Sequence, residues 1–296
     1  VNDAEPGDGA GGVAQVDAVV AGVGGHGSAD VRGPAEAFGL DAVIARDPAD
    51  GALRCGAELH ASWHVVEAVV EAGGRAVGVA CDVRDAIRVA EAFDAVEDAL
   101  GPISVLVNNA AANFPVAAEN LSPNGWRAVT GIVLDGTFLC SQEIFRRCTA
   151  REMSGSILNI LATQSFTGGP GMAHAAAAKA GVGNLTKSLA VEWGPVGIRV
   201  NALAPGLFPH EEMREDLKAL RTDPAVDARR QSAHRTGRRH EIGWAATYLC
   251  SPFASFLTGH TLVVDGGNWL RRDFVMPPVT PVRDQLSSAR ESATGE

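Results

Sequence analysis

Tyrosine is almost missing from this chain: among 296 residues there is one, Tyr248, and aromatics make up only 5%. Chemistry that needs a phenol elsewhere in the sequence is therefore excluded. Basic charge is also scarce. The formal net charge of −10 excludes a nucleic-acid binder, which needs cationic stripes to neutralise phosphates. Arg229–Arg230 and "RTGRRH" (235–240) form a local basic patch, read as a solvated or substrate-phosphate-facing loop. The five cysteines, Cys55, Cys81, Cys140, Cys148 and Cys250, are odd in number and lack paired metal spacing. They read as buried thiols in a reducing compartment, and no metal site is expected. No run of about 18 apolar residues suggests a membrane span, and no basic-then-apolar leader opens the chain. A cytoplasmic protein that contacts neither membrane nor nucleic acid is the expectation.

What the chain has in quantity is glycine (34 residues) and apolar residues (46%), ample for one large core. Short apolar runs ending in glycine or polar residues recur as "VDAVVAG" (16–22), "GLDAVIARD" (39–47), "GRAVGVACDV" (74–83), "ISVLVNNAA" (103–111), "GSILNILAT" (155–163), "GIRVNALAPG" (197–206) and "GHTLVVDGG" (259–267). Each has the pattern of a strand buried on both faces. Helical periodicity lies between them, as in "AIRVAEAFDAVEDALG" (86–101), and Ser122 before Pro123 makes a helix start. The expected fold is α/β, a single-domain Rossmann-type doubly wound parallel sheet of about seven strands. Its expected limits are 15–270, after a disordered lead-in over 1–14 and before a Pro-rich tail over 271–296.

"NNAA" (108–111), "AAAAKAGVGNLTKSLAVEWGPVGIRVNALAPG" (175–206) and "LTGHTLVVDGG" (257–267), in this order, resemble the short-chain dehydrogenase/reductase family across roughly residues 15–270. Within that family, "NFPVAAENLS", "IVLDGTF" and "ATQSFTGGPGMAHAAAAKAGV" look most like 2,4-dienoyl-CoA reductases. The resemblance implies a nicotinamide cofactor and a homo-oligomer, dimer or tetramer, built from helices and the C-terminal strand. It also implies a small-molecule substrate, with a CoA or carrier thioester as the candidate.

The cofactor residues follow from glycine chemistry and from the resemblance. "AGVGGHGSA" (21–29) follows the first strand, where glycines let the backbone approach a pyrophosphate. Gly22-x-Gly24-x-x-Gly27 meets the general dinucleotide pattern. Against the family's Gly-x-x-x-Gly-x-Gly, Ala21 takes the first glycine's place while Gly25 and Gly27 hold the others. Arg46, ending the second strand, suits a 2′-phosphate and favours NADP, with NAD as the alternative. Asp82–Val83 resembles the family's adenine contact. Asn109, Ala110, Pro205 and Gly206 fall at strand ends, where such sheets bind their ligands.

Lys179 is the firmest site residue. In the resembling family it holds the nicotinamide ribose and lowers the pKa of a neighbouring acid. Its partners there are a tyrosine four residues before it, a serine thirteen before that, and an asparagine three before the "GTF" glycine; here these positions are Ala175, Ala162 and Val133. The dienoyl-CoA reductase variant takes a tyrosine fifteen before the lysine, a serine four before, and an asparagine just before "GTF". Those positions hold Gln164, Ala175 and Asp135. The polar candidates left are Asp135, Gln164, Thr163, His174 and a water held by Lys179. Gln164 can donate an N–H to an oxyanion but cannot supply a proton.

Carbonyl reduction needs a proton at the forming alkoxide, whereas conjugate reduction of a thioester places charge on a dienolate that donors or water can stabilise. The leading expectation is thus an NADP-dependent oxidoreductase acting on a conjugated thioester or carbonyl with an atypical proton donor. The alternatives are a cyclase, dehydratase or isomerase on the same fold, or a non-catalytic partner subunit.

Overall fold

The computed structural model describes residues 16–21, 40–46, 66, 69–71, 74–114, 116–208, 228 and 231–270, with backbone alone for 16–21, 40–46 and 80. The expected lead-in, the glycine loop with Gly22, Gly25 and Gly27, the segment 209–227, Arg229–Arg230 and the tail 271–296 lie outside the described residues.

The strands are β1 (Val16–Ala21), β2 (Leu40–Arg46), β3 (Ala76–Ala80), β4 (Val105–Asn108), β5 (Gly155–Ile160), β6 (Ile198–Pro205) and β7 (Thr261–Val264). All pair in parallel, in the order β3-β2-β1-β4-β5-β6-β7. The order reverses beside β1, which lies between β2 and β4, and the carboxyl end of a sheet at such a reversal is where α/β folds bind ligands. Leu106, Leu158, Val200, Ala202, Leu203 and Ala204 have no exposed surface. That double burial explains why these strands read as continuous apolar runs.

Helices cover both faces. The main ones are α1 (Ala86–Leu100), α2 (Pro123–Thr130), α3 (Gly136–Ala150), α4 (Ala173–Trp193) and α5 (Arg239–Cys250). Alternate residues of each strand choose the face. Ile157 and Val200 pack with Phe93 of α1, Ile144 of α3 and Trp193 of α4. Leu158 and Leu203 pack instead with Leu249 of α5. Helix ends follow the sequence signals. Asp85 caps α1 by accepting from the backbone N–H groups of Ile87 and Arg88, and Gly101 closes it at φ 103°. Ser122 caps α2 with Pro123 in its first turn. Arg199 donates to the carbonyls of Leu249, Cys250 and Ser251, the groups a helix end leaves unpaired.

One feature was not legible in the sequence. Between α2 and α3 the backbone runs through a π-helical turn, Gly131–Asp135. Such turns cluster at functional sites, and this one carries both positions, Val133 and Asp135, where the resembling families place an asparagine.

A relay of amides and hydroxyls crosses the buried interior. Asn108 on β4 donates to Ser141 Oγ on α3 (3.0 Å) and to Asn159 Oδ1 on β5 (2.8 Å). Asn159 then donates to Thr186 Oγ1 on α4 (2.9 Å), and Thr186 to its own helix at Val182. All four side chains are buried, so each depends on its neighbour for the hydrogen bond that water cannot supply. Asn159→Ala strands one donor and one acceptor and is expected to lower unfolding free energy by about 2–3 kcal/mol in urea titrations, with a nearly unchanged m-value.

Candidate active site

The carboxyl ends of the strands gather the candidates. Ala21 of β1 stands in register with Asn108 of β4, and Asn109 and Ala110 follow at once, half-buried and buried. Arg46 ends β2 opposite Ala80 of β3, two residues before Asp82. Asp82 is engaged by Arg84, whose Nη2 lies 2.7 Å and Nε 2.9 Å from its oxygens, and it also accepts from the Arg84 backbone N–H. Val83 is buried, and a Cβ on Gly136 would approach its Cγ2 to 2.7 Å. Its side chain is thus packing. Pro205 ends β6. Gly206 is a glycine because a Cβ there would lie 2.3 Å from that of Asp265, whose carboxylate accepts from the backbone N–H groups of Gly267 and Trp269.

Lys179 extends from α4 to the end of β5, where its ammonium donates to the carbonyl of Ile160. Among the described residues no carboxylate partners it, and burial lowers its pKa to about 8. The positions around it have turned apolar together. Val133 and Ala175, which replace an asparagine and a tyrosine of the common family pattern, sit in one buried cluster with Val129, Leu161, Ala178 and Val182.

The remaining candidates divide. Asp135 is exposed and makes no hydrogen bond or ion pair among the described residues, while Val133, half a turn before it, faces α4. Thr163 is half-buried and precedes a one-turn helix, Gln164–Thr167, without capping it. Gln164 directs its amide at the sulfur of Met172 (3.9 Å), as does Asn113 (2.8 Å). His174 is fully buried against the ring of Phe114. Asn113, Phe114 and Met172 were therefore missed as members of this group, although "NFP" after the "NNAA" turn marked an amide and an aromatic ring just past a strand end. Tyr248 lies on α5, across the sheet from α4, and is 46% exposed. The lone tyrosine takes no part in the site.

A family model described as enoyl-(acyl carrier protein) reductase matches residues 42–268. The chain belongs to the short-chain dehydrogenase/reductase family. By that membership it is classed as an NADP(H)-dependent oxidoreductase. A Bacillus subtilis protein named "Probable 2,4-dienoyl-CoA reductase" is 43% identical over 198 residues, 65% of this chain and 77% of the relative. The mouse peroxisomal 2,4-dienoyl-CoA reductase is 39% identical over 202 residues, 68% of this chain and 69% of the relative. Among solved structures, a short-chain dehydrogenase from Bacillus anthracis superposes with a TM-score of 0.68 at 36% identity, covering 86% of this chain and 97% of the other. A gluconate 5-dehydrogenase from Burkholderia cenocepacia, in complex with NADP and tartrate, gives 0.71 at 31%, with coverages of 86% and 96%.

These relatives correct one expectation. The mouse, rat, zebrafish and yeast proteins are named peroxisomal, which overturns the cytoplasmic assignment. It rested on unpaired thiols and on the lack of a membrane-span or leader pattern, none of which distinguishes one reducing compartment from another. Among the described residues no helix is long and apolar enough to cross a membrane, and no group of three or more His, Cys, Asp or Glu could hold a metal ion.

A half-buried lysine with a depressed pKa makes a signed prediction. Below about pH 8 the folded protein holds the ammonium at a desolvation cost that is relieved as pH rises toward the unfolded value near 10.5. Lys179→Met should therefore raise the thermal midpoint at pH 7, narrow that gain between pH 8 and 10.5, and abolish nucleotide binding measured by calorimetry. A destabilised variant with intact nucleotide affinity would return Lys179 to the status of packing.

Proposed function

We propose that the protein is an NADP-dependent reductase of conjugated acyl thioesters, of the 2,4-dienoyl-CoA kind, that works without a tyrosine. The observation that carries this reading is Lys179: a half-buried cation with a backbone carbonyl as its hydrogen-bond partner, at the strand ends of a family whose relatives carry that activity in their names.

The residues present fit a nicotinamide nucleotide. The strand order reverses beside β1; Asp82, Val83, Asn109, Ala110, Pro205 and Gly206 lie at or just past strand ends, and two structural relatives are solved with NADP. On this reading Gly22, Gly25 and Gly27 receive the pyrophosphate, Arg46 the 2′-phosphate, and Lys179 the nicotinamide ribose. When bound, NADPH supplies a hydride. The chain supplies the rest. The Lys179 ammonium orients a water that gives the proton, and the Gln164 amide stabilises charge on the thioester oxygen. Thr163 lines the same wall, and Asp135 is a second proton source only if the exposed turn that carries it folds inward. The reading includes one domain over 15–270 with a seven-stranded sheet, flanked by a lead-in over 1–14 and a tail over 271–296, and a homo-oligomer.

The paired loss of Val133 and Ala175 to the apolar cluster favours a second reading, acid–base chemistry without redox turnover or a non-catalytic subunit. Nucleotide titration separates the two. NADPH is expected to bind more tightly than NADH; equal affinity would remove the Arg46 assignment, and no binding would remove the reductase reading. Gln164→Tyr is expected to raise dienoyl-CoA reduction on the order of tenfold or more by restoring a donor, read as NADPH oxidation. Ala175→Tyr should favour simple carbonyls instead. Turnover by the parent chain should fall as pH rises through about 8, where Lys179 loses its proton.

A further inference from the structure

His174 is the largest buried polar side chain without a hydrogen bond among the described residues. It has no exposed surface, and neither Nδ1 nor Nε2 has a partner. Ser165 Oγ is the other buried orphan, but a hydroxyl is a smaller loss than an imidazole. Leaving such a group unpaired is costly, and an apolar side chain of similar volume would avoid the cost. A persistent orphan of this kind points to a use outside folding.

Its surroundings say which use. His174 is the second residue of α4, whose N-terminus has no side-chain cap. Burial disfavours imidazolium and lowers the pKa of His174; the positive end of a helix disfavours it too. A neutral imidazole is a hydrogen-bond donor that need not give up its proton, suited to an oxygen that becomes more negative during reaction. Phe114 packs on it, with ring centroids 4.5 Å apart and planes at 50°. Phe114 is itself 39% exposed, so this ring reaches from the imidazole to the surface. That ring fits because position 125 is glycine; a Cβ there would come within 2.9 Å of Phe114 Cζ. The amides of Asn113 and Gln164, both aimed at Met172 two residues before His174, place further donors on the same approach.

We propose that His174 is a substrate-binding residue whose neutral imidazole donates an N–H to the carbonyl oxygen of a conjugated thioester, and that Phe114 is the gate that covers it until substrate arrives. The substrate class rests on the reading above; the gated donor rests on the geometry alone. No proton or electron is transferred at His174, since the imidazole stabilises charge on the oxygen and remains neutral.

His174→Leu is the deciding variant. It keeps the volume and removes the orphaned nitrogens, so the thermal midpoint should rise by about 2–4 °C, while turnover of 2,4-hexadienoyl-CoA should fall on the order of 10- to 100-fold with NADPH affinity unchanged. A fall in the midpoint would mean that the nitrogens serve the fold, and unchanged turnover would mean that they serve nothing; either overturns the proposal. Carbethoxylation of His174 by diethyl pyrocarbonate supplies a second measurement independent of turnover. It should be slow in the parent chain and faster in Phe114→Ala, and hexadienoyl-CoA should protect the variant. Equal rates in both chains would overturn the gate. Should the parent bind NADPH without turnover, hexadienoyl-CoA affinity by calorimetry decides instead: weaker binding by His174→Leu supports the donor, and equal binding overturns it. Failure to bind NADPH at all would defeat the reductase reading and leave that affinity comparison decisive for His174.

Discussion

The structure depends on how α4 is fastened to β5. Two adjacent strand residues hold the helix: the Ile160 carbonyl accepts from Lys179, and the Asn159 amide donates to Thr186, seven residues further along α4. Seven residues are two helical turns, so both contacts fall on one face of the helix. One fixes the fold and the other fixes the site. Because Asn159 is also held by Asn108, and Asn108 by Ser141, the position of the lysine is referred through buried hydrogen bonds to β4 and α3. An ammonium kept at a strand end against its desolvation cost needs such rigid backing.

This arrangement clarifies what replaced the family's acid. Val133 and Ala175 lie in one apolar cluster. The polar groups near them lie elsewhere: Asn113 and Gln164, whose amides point at Met172 just before α4, and His174 against Phe114. The chemistry that such a site supports best is one in which charge is stabilised by donors and the proton comes from ordered water, rather than one in which a side chain delivers it directly.

Much of the fold was legible because parallel strands buried on both faces write themselves as apolar runs, and helix ends such as Ser122 and Gly101 use residue types with a local physical reason. Lys179 was legible for another reason: a motif surrounds it. The π-helical turn was not, since no residue type demands it, and Asp135 consequently read as a site residue although the wide turn leaves it exposed while Val133 faces α4. The Met172 cluster was equally hidden, because an amide aimed at a thioether depends on two loops meeting and neither loop announces the other. The solitude of His174 could be read only from its surroundings.

The π-helical turn has a further consequence. A helix that runs unbroken transmits any rotation of its first turns to its last, so a wall remodelled for a new ligand would disturb whatever lies beyond it. Here the wide turn at Gly131–Asp135 separates α2 from α3. Downstream, α3 is anchored by Ser141 and by the ion pairs of Arg147 with Asp94 and Glu97 of α1. Upstream, α2 carries Gly125, on which Phe114 rests. The turn acts as an expansion joint: length, tilt and side-chain size can change on the mouth side without loosening the anchored half.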